Sequence, residues 1–390
     1  MAEDKFACLI LAAGKARRMG SCKALLPLGE GERAFHALGL LAQNFRKLGI
    51  GRILVVTGFH AEAVEAQART LNFALLRNPQ PERGMFSSLT LGLQFWQHQD
   101  PVPRACFIQP VDVPLIRPLT IQALLAHFHA DPDKVAIPAF LGRPGHPPLI
   151  GSKYFPDILA WQGDGGLSKA LQSLPQSLVD VADSTILKDM DTPSDYQRLC
   201  RLAPYTNSLH PLEARELLRI HKVSPKGFRH AEAVGSVAAR FARELLLARQ
   251  KNGQSSNLRP ALARAGGLLH DLAKGVPHHE KAGALILEKM HLPAMAALVR
   301  DHRDLTILPE QAISERELVY LADKYCFGPN FVTIEERFGE KLAHACDLQS
   351  AQAIVTRREH AKALEARLAL EIGCAPASIA QKALQAFPRN

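Results

Sequence analysis

Two sets of residues in this chain have the types and spacing for phosphate chemistry. The stretch LAAGKARRMGSCK at 11–23 sets Ala12, Ala13 and Gly14 behind an apolar run and follows them with Arg17, Arg18 and Lys23. Small side chains let backbone amides approach a phosphate closely, and the cations add neutralising charge. The P-loop frame is not met, because five residues separate Gly14 from Gly20 where that motif has four. Read alone, the stretch is equally a glycine turn with solvated basic residues.

The second set centres on GGLLHDLAKG at 266–275, which carries His270 and Asp271 in succession. Read as one apolar helix, it separates the two side chains by about 100°, and it puts Lys274 on their face. Two adjacent residues do not close a metal site, so remote partners are required. His230, His279, His302 and Asp323 are the candidates, with His278 as the register alternative to His279. Imidazole and carboxylate donors together suit a hydrolytic divalent metal such as manganese, iron, zinc or nickel. Cys326 is either a soft ligand or buried apolar filling, and His291, His344 and His360 read as surface residues.

The elements that position these groups differ between the two halves. In the first, short apolar runs at 6–12, 53–57, 73–76, 105–108 and 135–138 read as strands. They alternate with helical stretches at 34–48, 61–70, 87–97 and 119–129. That alternation predicts an α/β domain with a mainly parallel, Rossmann-like sheet between helices. Ligands then bind beyond the carboxyl ends of the strands, where Gly14, Gly58, Asn78 and Asp112 fall. The segment 200–210, with Pro204, Asn207 and Ser208 before Pro211, breaks the pattern and divides the chain into domains at 1–200 and 205–390. The second is expected to be all α-helical, with helices at 213–221, 230–250, 260–274, 279–290, 294–303, 315–325 and one long helix at 335–372.

With 390 residues, 47% hydrophobic and 22% charged, the composition is that of a soluble globular protein of two domains. Residues 1–200 hold 20 Lys and Arg against 18 Asp and Glu, and residues 201–390 hold 27 against 20. The basic excess is dispersed along expected helices without interleaved aromatics, which argues for an anionic small-molecule substrate and against nucleic acid. Seven cysteines without a CxxC pair argue for reduced thiols in the cytoplasm. The N-terminal stretch fits neither a signal peptide nor a membrane span.

Residues 5–198 resemble the molybdenum cofactor nucleotidyltransferases, and more closely their cytidylyltransferase branch. The likeness is carried by LAAGKARRMGSCK, NPQPERGMFSSLTLG at 78–92, PVDVP at 110–114, GHPPLI at 145–150, GDGGL at 163–167 and DMDTPSDY at 189–196. It implies that Gly14, Arg18 and Lys23 hold a nucleoside triphosphate, that Asn78 and Ser88 line the nucleoside pocket, and that Asp112 binds magnesium with Asp191 as second carboxylate. Asp191 reads alternatively as a cap for the helix after Thr192 and Pro193. His146 either touches the acceptor or shapes a turn. The LAAG form of the loop implies CTP rather than GTP, molybdopterin is the implied acceptor, and a molybdenum hydroxylase is the implied protein partner. Where many members have glycine before the metal aspartate, this chain has Val111.

From about His221 to Asp323 the chain resembles the HD-domain metal phosphohydrolases. The ordered set His230, His270, Asp271, His279, His302 and Asp323 matches their motif, with Lys274 at the phosphate-contacting place. In that reading His230, His270, Asp271 and Asp323 hold one ion, His279 and His302 permit a second, and the substrate is a phosphorylated small molecule. Two other readings stay open: a transferase acting on a sugar or alditol phosphate, and a cofactor-binding or regulatory protein whose HD half does not hydrolyse.

Overall fold

The computed structural model describes residues 5–29, 35–305 and 310–386, and these form two compact units, Met1–Thr206 and Asn207–Asn390. In the first, the apolar run FACLILA is buried along its whole length as β1 (Phe6–Ala12), as a central parallel strand covered on both faces must be. The remaining sheet strands are β2 (Arg52–Thr57), β3 (Ala74–Arg77), β4 (Ala105–Pro110), β5 (Val135–Phe140), β6 (Arg143–Pro144), β7 (Leu149–Gly151) and β8 (Gln176–Asp180). Their order is β8-β5-β7-β4-β1-β2-β3, with β6 paired to β5. All pairings are parallel except those of β7 and β6. The helices α1 (Ala37–Arg46), α2 (Ala61–Thr70), α3 (Met85–Gln97), α4 (Pro118–Ala130), α5 (Phe155–Leu159), α6 (Gly166–Gln172) and α7 (Pro193–Leu202) complete the unit. Of the helix expected at 34–48, Ala34 lies outside the described residues.

Register decides what shares the carboxyl edge. Leu11 lies beside Pro110, so the loop leaving β1 stands level with Val111 and Asp112, and the Val111 amide donates to the Leu11 carbonyl at 3.1 Å. Gly58 closes the other side: a Cβ there would lie 2.7 Å from the Ala13 carbonyl oxygen. Strands β7 and β8 were not anticipated. Each is short, and β8 alternates between exposed and half-buried positions at the sheet edge, so pairing rather than local sequence makes it a strand.

The second unit is a helical bundle: α8 (Pro211–Ile220), α9 (Pro225–Lys251), α10 (Pro260–Leu269), α11 (His279–Lys289), α12 (Pro293–Val299), α13 (Glu315–Lys324), α14 (Ile334–Ala343), α15 (Leu348–Ile372) and α16 (Pro376–Gln385), with a hairpin of β9 (Cys326–Phe327) and β10 (Asn330–Phe331). Its core gathers around α9, where Val234, Val237, Phe241 and Leu245 pack against α13 residues Leu318 and Tyr320 and α15 residues Leu364 and Leu368. The single helix expected at 335–372 is instead two. Asp347 ends the first segment's extension by capping α15, its carboxylate accepting from the Ser350 amide at 2.6 Å. The helix expected at 260–274 stops at Leu269, so His270 is its C-terminal cap and Asp271 lies in the following turn. That end frees both side chains from helical spacing.

The paired glycines before His270 have a packing reason. A Cβ on Gly267 would lie 2.7 Å from the Gly235 Cα, and one on Gly266 would lie 2.9 Å from Leu298. Helices α9 and α10 therefore meet backbone to backbone, and this close approach sets the His230 and His270 rings 5.1 Å apart. A Gly267→Ala substitution forces the helices to separate and is expected to cost about 1–3 kcal/mol, the usual range for overpacking. A shift of the denaturant midpoint of the helical unit checks it, and an unchanged midpoint would refute the close-approach account.

Candidate active sites

In the first unit four charged residues from distant parts of the sequence converge. The Lys23 Nζ lies 3.1 Å from Asp112 Oδ2 and 2.6 Å from Asp191 Oδ1, and Arg18 donates to the other Asp191 oxygen at 2.5 Å. The backbone enforces this meeting, because the Met190 amide donates to the Asp112 carbonyl at 2.9 Å and the Met190 side chain is wholly buried. Helix capping falls to Thr192, which forms a capping box with Asp195. That leaves the Asp191 carboxylate for the cations.

Partial burial works to lower the Lys23 ammonium, but the hydrogen bond to Asp191 and the charge of Asp112 outweigh it and raise it. The same hydrogen bond holds Asp191 below the ordinary carboxyl value. Asp189 is pushed up, first by burial and then by Asp191 and Asp112. Two carboxylates reaching one point are hard oxygen donors, a set that fits magnesium, which keeps several waters and takes only one or two carboxylates.

Two cavities meet at this cluster. One is lined by Ala12, Ala13, Gly14, Lys23, Ser88 and Asp112. Beyond Gly14 there is open space within 4 Å of where a Cβ would stand, as an approach to phosphate requires. The other is lined by Arg18, Arg143, His146, Asp189 and Asp191 and shares Met85, Pro110 and Asp112 with the first. His146 is half-buried with its Nδ1 enclosed and unpaired, and burial lowers its pKa against the opposing charge of Asp112. Asn78 does not line the cleft as expected. It is 3% exposed and spends its amide on the Ser87 and Ser88 hydroxyls, each at 2.9 Å, while its oxygen accepts from the Gln80 amide. It positions Ser88, and Ser88 lines the cavity.

One residue that sequence reading missed is Asp183. It is completely buried and accepts from Arg117 Nη1 at 2.6 Å, the Arg117 amide, Thr120 and Thr185. It ties the start of α4 to the segment bearing Ile186, whose carbonyl accepts from the His146 amide at 3.1 Å. Nothing in the local sequence VADST separates a buried aspartate from a surface turn.

In the helical unit the six expected residues come together. Asp271 stands at the centre: its carboxylate oxygens lie 3.4 Å from His270 Nε2, 3.7 Å from His230 Nε2, 3.2 Å from His279 Nε2 and 3.6 Å from His302 Nε2. Asp323 Oδ1 lies 3.4 Å from His230 Nε2 and 3.7 Å from His270 Nε2. His279, not His278, enters the cluster, while the His278 side chain is 75% exposed. Cys326 is buried and its thiol is pushed up, chiefly by burial, which fits apolar filling rather than ligation.

The protonation pattern follows from the backbone. Nδ1 of His270 faces the Gly267 carbonyl at 2.7 Å, that of His302 the Val299 carbonyl at 2.8 Å, and that of His230 the Gly328 carbonyl at 3.1 Å. A carbonyl oxygen only accepts, so each ring donates from Nδ1 and offers its Nε2 lone pair. Burial also lowers the His302 pKa, against the Asp271 hydrogen bond. Lone pairs facing carboxylate oxygens repel unless a cation stands between them, and His270 Nε2 is buried with no hydrogen-bond partner. These residues therefore fit divalent metal. Two triads have ligand atoms within 4.8 Å of one another, His230, His270 and Asp271, and Asp271, His279 and His302, with Asp271 common to both.

Comparison with known proteins agrees with this division. Residues 8–179 match the MobA-like NTP transferase domain, and residues 227–328 match the HD domain. The molybdenum cofactor cytidylyltransferase of Escherichia coli is 27% identical over 48% of this chain and 92% of its own length. The purine catabolism protein PucB of Bacillus subtilis is 28% identical over 50% of this chain and 95% of its own. A solved nucleotidyl transferase from Methanothermobacter thermautotroptrophicus superposes with a TM-score of 0.45 at 22% identity, over 52% of this chain and 99% of that one.

The shared carboxylate makes a stoichiometric prediction. Calorimetric titration of the metal-free chain with manganese is expected to give two sites in the helical unit. His279→Ala should leave one, and Asp271→Ala should leave none. Retention of both sites in Asp271→Ala would refute the bridging role.

Proposed function

Because the chain joins a MobA-like NTP transferase domain to an HD domain, we propose a bifunctional enzyme. Residues 1–200 transfer CMP from CTP to the phosphate of molybdopterin and release pyrophosphate, and residues 205–390 hydrolyse a phosphorylated small molecule. The observation that carries the first assignment is the meeting of two cavities at Asp112, beside Lys23. Displacement at the α-phosphorus runs in line, so the acceptor oxygen enters on one side while pyrophosphate leaves on the other. A site for it must open in two directions from one charged centre.

In this reading the amides around Gly14 and the Arg18 guanidinium hold the triphosphate. Lys23 neutralises charge as the α-phosphorus bond to pyrophosphate breaks, and Ser88 lines the nucleoside side. The acceptor phosphate occupies the lobe of Arg143 and His146. Magnesium, held by Asp112 and Asp191, would add charge stabilisation on the phosphate oxygens. The choice of molybdopterin and of CTP is supported by the Escherichia coli relative and by the LAAG loop.

For the helical unit the supporting observation is the six-residue cluster with Lys274 against Asp271 at 2.5 Å. Hydrolysis joins the oxygen of water to phosphorus, breaks the ester bond and passes a proton to the leaving oxygen. A transition metal on the histidines and aspartates would supply the Lewis acidity for that step. Lys274 would pair with the phosphoryl oxygens.

A screen of CTP and GTP against molybdopterin, sugar phosphates and alditol phosphates, read by pyrophosphate release, tests the first assignment. CTP with molybdopterin is expected to be fastest, and Lys23→Ala and Asp112→Ala should each lower turnover by about 10²-fold or more, as for loss of one preorganised electrostatic group. Release from GTP but not CTP, or from an alditol phosphate but not molybdopterin, would overturn the substrate assignment.

A further inference from the structure

A cavity of about 800 Å³ opens beside the helical unit's cluster, reached from His230 and Lys274. That volume is in the range of small-molecule pockets, about 300–1,000 Å³, and it exceeds what one phosphoryl group needs. Its wall carries four cations, Lys226, Lys274, Arg337 and Lys341, against one carboxylate, Glu340. The inner two are already engaged: Lys274 with Asp271, and Arg337 with Asp323 at 3.0 Å. Lys226 and Lys341 hold no ion pair among the described residues. Phe327, 55% exposed, adds an apolar wall.

The outer cations are not part of the matched HD segment, which ends at residue 328. Arg337 and Lys341 stand four residues apart on α14, hence on one face. Burial, and then neighbouring Arg337 and Lys324, push Lys341 down to about 8. An ammonium crowded by like charge gains from an anionic ligand, and the buried Arg337 Nε has no hydrogen-bond partner.

We propose that the pocket takes a substrate with two separate anionic groups. A phosphoryl group lies at the His and Asp cluster beside Lys274, and a second anion, phosphate or carboxylate, is held by Lys226 and Lys341. This rests on the hydrolytic reading of the cluster and adds the substrate class to it.

Adenosine 5′-monophosphate and adenosine 3′,5′-bisphosphate share a ring and differ in the second anion. Their binding is compared by calorimetry on the manganese-loaded full chain carrying Lys23→Ala and Asp112→Ala, which silence the other unit, with phosphate release followed in parallel. The bisphosphate is expected to bind at least ten-fold more tightly, and Lys341→Ala or Lys226→Ala should remove that preference. Equal affinities, or a Lys341→Ala effect equal on both compounds, would overturn the proposal. Preferential binding without phosphate release would keep the subsite and remove the hydrolytic reading, whereas release without preference would do the reverse.

Discussion

A carboxylate withdrawn from water must be matched by positive charge or hydrogen-bond donors, because an unmatched one costs several kcal/mol. Each unit of this protein is organised around that constraint. In the first, Lys23 lies between Asp112 and Asp191, and the loops from β1 and β4 are held close enough for it to reach both. In the second, Asp271 is paired with Lys274, and Asp323 is matched by Arg337 and Lys324.

The two centres meet the constraint with different rigidity. Lys23 opens a short 3-10 turn, Lys23–Leu25, and its ammonium is held by side chains alone, Asp112 and Asp191. In the helical unit the Nδ1 atoms of His230, His270 and His302 are tied to backbone carbonyls, and α9 and α10 are packed through Gly235, Gly266 and Gly267. Lys324 adds a further tie: wholly enclosed, it donates to the Asp323 carboxylate at 2.9 Å and to the His302 carbonyl at 3.0 Å, joining α13 to the turn after α12. A fixed donor set suits a resident metal.

The first unit's cleft shows the same economy in neutral groups. Asn78 keeps the Ser88 hydroxyl at the cavity wall, and Asp183 fixes the segment whose Ile186 carbonyl holds His146. Neither touches the cavity centre, yet each decides where a lining side chain points. Such residues are invisible to a search for reactive groups because their hydrogen bonds are all internal.

Much of this was legible in the chain alone. Apolar runs alternating with helical stretches fixed an α/β unit with its loops at one sheet edge, because strand and helix periods are local properties. The break at 200–210 and the helical periodicity after it fixed a second, helical unit. The chemistry-bearing residues stand out through the resemblance of their motifs to two families, since the loop at 11–23 by itself reads equally as a glycine turn. Folding alone decided the rest. That Asp271 bridges two triads depends on α10 ending one residue before His270, and helix ends are set by tertiary packing as much as by propensity. The split of 335–372 followed from a cap at Asp347, strand β8 from pairing at the sheet edge, and strand β7 from antiparallel pairing between β4 and β5. The basic pocket joins Lys226 to Lys341 across more than a hundred residues. No spacing rule reports such a meeting, because it is produced by the packing of α9 against the elements that follow.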